Sequence, residues 1–261
     1  MNKPFQWKVF WSLLAACVLG VIALVPYLLA LPSSTLAQGK LPLPLPLLIS
    51  IQILQNVILF AIAISLGLTA ANRVGLGLPI LEAKLNGDRI RGKIKAILFP
   101  SIFLGVVASA LVVAIDVYGF QPVLRAELGS KARAFLTSQP AAWKGLLAAF
   151  YGGINEEVLM RLCVMSILVW LGSFVSKTAE GKPTAAIFWI ANLLAAVLFG
   201  LGHLPLTSVF LPLTPLVITR AIVLNGLVGV CSGYLYKKYG LESAMLSHFS
   251  ADIALHVLLA L

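Results

Sequence analysis

A chain of 261 residues that is 60% hydrophobic and 11% charged, with a mean hydropathy of +1.00, is not a water-soluble domain; such domains carry roughly 25% charged residues. The formal charge of +10 would suggest nucleic acid in a soluble protein. Here the basic residues fall mostly in short loops between apolar runs, with no aromatic-laced patch, so the reading is no nucleic acid and a lipid bilayer with anionic headgroups. Cys17, Cys163 and Cys231 lie on separate apolar segments without paired spacing, which excludes a disulfide framework and a zinc knuckle.

The runs predict an all-α, polytopic membrane bundle of about seven transmembrane helices, one membrane domain over residues 1–261. The first runs from about Val9 to Leu31, longer than the ~7–15-residue core of a signal peptide. It reads as a retained span kinked at Pro26, although Thr35-Leu36-Ala37 has the look of a cleavage site. A polar linker, Pro32 to Lys40, and Pro42, Pro44 and Pro46 delay the second helix to about Leu47–Ala70. Asn72 to Lys95 is the most basic loop, and its Leu76–Leu85 stretch is apolar enough to lie on the membrane surface. The third span is about Ala96–Val117, followed by a polar connection, Gln121 to Pro140. Trp143 to Val175 exceeds the ~20 residues that cross a bilayer, so it either tilts or breaks at Gly152-Gly153. The next helix, Ala185 to about His203, is stopped by Pro205. Leu204 to Pro215 is expected to be irregular or re-entrant. Leu216–Tyr236 follows, with Gly226, Gly229 and Gly233 letting a neighbour approach closely, and Ser243–Leu261 is last. Lys and Arg gather on the side of the N-terminus, which assigns a multi-pass protein with a cytoplasmic N-terminus.

Inside this apolar background, Gly152 to Arg161 reads Gly-Gly-Ile-Asn-Glu-Glu-Val-Leu-Met-Arg. A charge near the bilayer centre costs about 2.5–3.5 kcal/mol on insertion scales, so three within six residues need partners or work. Glu157 and Arg161 are four apart and share a helix face. Glu156 is rotated roughly 100° away, which leaves it free of that ion pair. His203, His248 and His256 are the three histidines, and His248 and Asp252 share a face of the last helix. Glu156, His203, His248 and Asp252 thus come from three helices whose buried charges favour one wet pocket. A carboxylate that deprotonates water, with imidazoles that hold it and stabilise an oxyanion, is the equipment for amide hydrolysis. Glu156, His203 and His248 are also the set a zinc ion would take, but no His-Glu-x-x-His helix is present, so no cofactor is expected. A proton-coupled transporter would want the same residue types, without the inverted repeat that such carriers show. His256 reads as a structural histidine.

Glu156-Glu157-x-x-x-Arg161, Phe199-x-x-x-His203 and His248-x-x-x-Asp252, in that order on apolar helices, resemble the CPBP family of intramembrane proteases. That family includes the type II CAAX prenyl endopeptidases and the bacterial CAAX protease self-immunity proteins. The stretch Gly233 to His248 also resembles the family's approach to its last motif, and the likeness covers about residues 143–261. The resemblance implies an endopeptidase acting on a peptide or membrane-protein substrate. Glu156 would be the general base with His203 helping to hold the water, His248 and Asp252 would stabilise the oxyanion, and Glu157 with Arg161 would shape the site. Two departures stand out: Asp252 where Asn is frequent, and Met160-Arg161-Leu162 where Phe-Arg-Gly is usual. The alternative is a catalytically silent immunity or scaffold protein, which would be expected to lose Glu156 or His203; this chain keeps both.

Overall fold

The computed structural model describes residues 5–31, 43–138 and 140–260. The linker Pro32 to Lys40, with Thr35-Leu36-Ala37 and Pro42, lies outside them. The described residues form helices α1 (Trp7–Leu28), α2 (Leu45–Val74), α3 (Pro79–Leu85), α4 (Arg91–Ile115), α5 (Gln121–Leu128) and α6 (Ser130–Thr137). There follow α7 (Ala142–Phe150), α8 (Ser166–Gly172), α9 (Ala185–Gly202), α10 (Leu204–Phe210), α11 (Pro215–Tyr239) and α12 (Leu241–His256). Among the described residues there is no β-sheet, and the protein is an all-α integral membrane bundle.

Five rods are long and apolar enough to cross a bilayer: α1, α2, Arg91–Leu128, Ala185–Phe210 and α11. Two more expected spans are helical but fall outside those limits. Ala142–Gly172 is a continuous rod that carries four charges, and α12 has only 16 residues. The bundle's exterior is apolar, as lipid requires. Leu54, Ile58, Ile62 and Leu66 form an exposed stripe along α2, and Phe99, Ile102, Phe103 and Val106 do the same on α4. In water such patches would drive aggregation; against acyl chains they are the natural outer surface.

Large side chains such as Phe10, Phe60, Ile64 and Leu162 fill the main core, but two helix contacts are made by small or polar residues, which let backbones approach closely in lipid. On α4, Ser101, Gly105 and Ser109 line one face and meet α12. Ser101 Oγ and Ser243 Oγ are 2.7 Å apart, Ser109 Oγ donates to the Ala251 carbonyl at 3.1 Å, and Gly105 lies directly on the Ser247 carbonyl. The expected glycine face of α11 packs on α9, with Gly229 against Ala196 and Gly233 against the Asn192 amide. Gly240 turns α11 into α12 at φ +100°, a value that side chains disfavour. Glu242 Oε1 then accepts from the backbone N–H groups of Ile80 and Leu81 at 3.0 and 2.7 Å, fixing α3 to the start of α12.

Three expectations are corrected and one open choice is decided. Gln121 to Pro140 is not a plain polar connection but two short helices, α5 and α6, whose apolar faces bury Leu124 and Ala132 with Leu211 and Val217. Leu204 to Pro215 is not irregular throughout. Pro205 falls in the first turn of α10, where its missing N–H costs nothing, and only residues 211–214 leave the helix. The third span does not stop at Val117 but runs on through a wider π turn, Asp116–Phe120, into α5. The rod from Ala142 does not break at Gly152-Gly153; it rewinds as π-helix over Tyr151–Glu156 and Val158–Met165.

Candidate functional site

The two glycines explain why the rod rewinds where it does. A Cβ on Gly152 would strike the Asp252 carboxylate and lie 3.4 Å from His248 Nε2; one on Gly153 would meet Phe249 Cβ at 2.9 Å. The backbone therefore presses onto α12 at the turn before Glu156. π-helical turns recur at functional sites, and here one delivers two consecutive carboxylates to a single imidazole.

That imidazole is His248, midway along α12 and buried. Its Nδ1–H donates to Glu157 Oε1 at 2.7 Å, a short charge-assisted bond. Its Nε2 faces Glu156 Oε2 and Asp252 Oδ1, each at 3.7 Å, too long for hydrogen bonds and so unspent. Glu157 is fully buried and also holds Arg161, whose Nη1 stands 3.0 Å from the same Oε1. Glu156 keeps 25% of its side chain exposed. The expected Glu157–Arg161 pair is present, and Glu157 carries a second duty, His248, that the sequence did not disclose. Arg161 lies 5.1 Å over the Phe199 ring, and its Nη2 fits into the space left by Gly229, where a Cβ would come within 3.1 Å.

His203 joins through Phe199. That ring is edge-on to both imidazoles, 4.8 Å from His203 and 5.5 Å from His248. His203 Nδ1 is 2.8 Å from the Phe199 carbonyl, which can only accept, so Nδ1 carries the hydrogen and Nε2 offers a lone pair. Because the helix resumes after His203, this residue sits inside a 26-residue rod rather than at its end. His256 lies one turn past Asp252 at the end of α12, with its ring 6.1 Å from Tyr27.

The zinc set does not fit. Among the described residues, no three of His, Cys, Asp and Glu are grouped so as to hold a metal ion. Both imidazoles pack against the Phe199 ring.

Sequence reasoning passed over two features. Asn155, fully buried beside Glu156, donates through Nδ2 to the Cys17 carbonyl at 2.9 Å. Arg220, within the α11 span, pairs with Asp116 through Nε at 2.7 Å and Nη2 at 2.8 Å; Gln121 Nε2 donates to the same carboxylate at 3.1 Å. A lone Asp and a lone Arg in apolar runs were the available signal, since each needs a counter-charge.

No curated protein and no solved structure matches the chain. The family model described as Rce1-like, type II CAAX prenyl endopeptidase, matches residues 138–254, the segment that carries Glu156, Glu157, Arg161, His203, His248 and Asp252. Over that segment, less than half of its 261 residues, the chain is similar to the Rce1-like family of type II CAAX prenyl endopeptidases.

Proposed function

We propose that the protein is an intramembrane endopeptidase that hydrolyses a peptide bond of a membrane-associated substrate with water activated by Glu156. The observation that carries this reading is the split between two neighbouring glutamates. Glu157 is fully buried and holds Arg161 and His248, whereas Glu156 is partly exposed and shares only the outer edge of that imidazole. A carboxylate with no cation pinned to it can take a proton; one locked to a guanidinium resists doing so.

In this mechanism Glu156 removes a proton from water as the oxygen attacks the scissile carbonyl carbon. His203 Nε2 accepts the second hydrogen of that water and holds it in line. The oxyanion forms beside His248 Nε2, whose ring is oriented by Glu157 at Nδ1. Asp252 faces the same Nε2, so its role is to support His248 rather than to touch the oxyanion. That answers the departure from Asn. Glu156 then passes its proton to the departing amine, and the C–N bond breaks. The excess of Lys and Arg in the loops on the α1 N-terminal side supports a cytoplasmic N-terminus.

The test is cleavage of peptides by the purified protein in detergent, with and without a chelator. Turnover that disappears in Glu156→Gln and falls in His203→Ala, with the fold retained and no response to the chelator, is expected. Turnover indifferent to both substitutions would overturn the assignment.

A further inference from the structure

The segment that bears Glu156 is gripped from a second side, by a helix outside the matched residues. Asn155 Nδ2 donates to the Cys17 carbonyl of α1 at 2.9 Å. Its Oδ1 is buried, has no hydrogen-bond partner among the described residues, and lies against Gly20, one turn further along α1. A methyl group on Gly20 would collide with that oxygen and come within 3.1 Å of Asn155 Cγ. The Cys17 carbonyl already accepts a bond within its own helix, so α1 does not need Asn155 in order to fold. The benefit falls on the other partner.

Tyr151–Glu156 winds as a π-helix, a form that is rare and occurs mostly as a single turn. Its conformation therefore leans on what surrounds it. On one flank Gly152 and Gly153 press onto α12; on the opposite flank the polar tie is Asn155 to α1. The residue that follows Asn155 is Glu156. A polar group buried with half of its hydrogen-bonding capacity unused is a cost that a purely structural contact would avoid by being apolar.

We infer that Asn155 and Gly20 form a latch through which α1 sets the position of the Glu156 carboxylate, making Asn155 a positioning residue and α1 part of the working site. This inference rests on the endopeptidase reading, and it assigns a task to a helix that the family match leaves out.

The test is a double-mutant cycle on the full chain in detergent, reading peptide cleavage and thermal unfolding for wild type, Asn155→Ala, Gly20→Ala and the pair. Asn155→Ala is expected to lower kcat by about tenfold to 100-fold with KM unchanged; a 1 Å misplacement can cost about 100-fold. Gly20→Ala is expected to lower both kcat and melting temperature. In the Asn155→Ala background the same change should do neither, because the oxygen it strikes is gone. Losses that multiply across the two sites, an unaltered kcat in folded Asn155→Ala, or a loss confined to KM would each overturn the latch. If the wild type cleaves nothing, the endopeptidase reading fails instead. The latch is then still decided by whether the melting-temperature penalty of Gly20→Ala vanishes in the Asn155→Ala background.

Discussion

Two charge clusters in this molecule, one buried around His248 and one half-buried at Asp116 and Arg220, are built to different standards. Asp116 and Arg220 form a fork-to-fork pair at 2.7 and 2.8 Å, and Gln121 adds a third bond to the same carboxylate. Around His248, by contrast, Glu157 Oε2 and both Arg161 Nη groups lack a well-aligned hydrogen bond among the described residues, and Nε2 faces two carboxylates at 3.7 Å. A finished pair braces the elements that carry it, here the π turn Asp116–Phe120 after α4 and helix α11. An unfinished one keeps acceptors and donors in reserve, which costs stability and leaves groups able to bind water or a developing charge. The family match covers the second cluster completely and the first only at Arg220.

This contrast can be broken by mutation. The largest effect is expected for Glu156→Gln, with kcat down by about 10²–10⁴-fold, the usual contribution of a general base, and little change in unfolding by denaturant. His248→Gln comes next, at about 10²–10³-fold in kcat, the cost of losing one oxyanion donor. It should also lower stability, because Glu157 then loses a buried partner; a variant that kept full turnover would remove His248 from the mechanism. Asp116→Asn should behave in the opposite sense. It is expected to cost about 3 kcal/mol in unfolding free energy, at the low end for breaking a buried pair, while turnover of the folded protein is unchanged. A loss of kcat at constant stability there would erase the distinction between the two clusters. The smallest effect is expected for Ser109→Ala, about 1 kcal/mol for one hydrogen bond between α4 and α12, seen as a modest drop in melting temperature.

The helical membrane class was readable from composition alone, and the Glu157–Arg161 pair from helix spacing. Convergence of Glu156, His248 and Asp252 was also foreseeable, since isolated charges in lipid must find one another. What escaped the sequence had a common cause. Periodicity says which face of a helix is special but not what lies opposite it. Ser101-x-x-x-Gly105-x-x-x-Ser109 stood in plain view within a generic span, and only its docking on Ser243, Ser247 and Ala251 gives it meaning. The widened turns at Asp116 and Tyr151 have no propensity signature, because they arise from contact with other helices. Pro205 misled for a local reason: the same residue that ends a helix also opens one, and here it does the second.

The brevity of α12 has a consequence for the way into its midpoint. At 1.5 Å per residue its 16 residues reach only ~24 Å, less than the ~30 Å hydrocarbon slab. One of its ends is moored to α3 by Glu242. No residue of α12 is exposed, so lipid does not meet its length; what the brevity sets is the distance from His248 to the end beside α3, seven residues or ~10 Å along the axis. In the proposed reaction, a polypeptide entering from that end would have only a short path to Glu156.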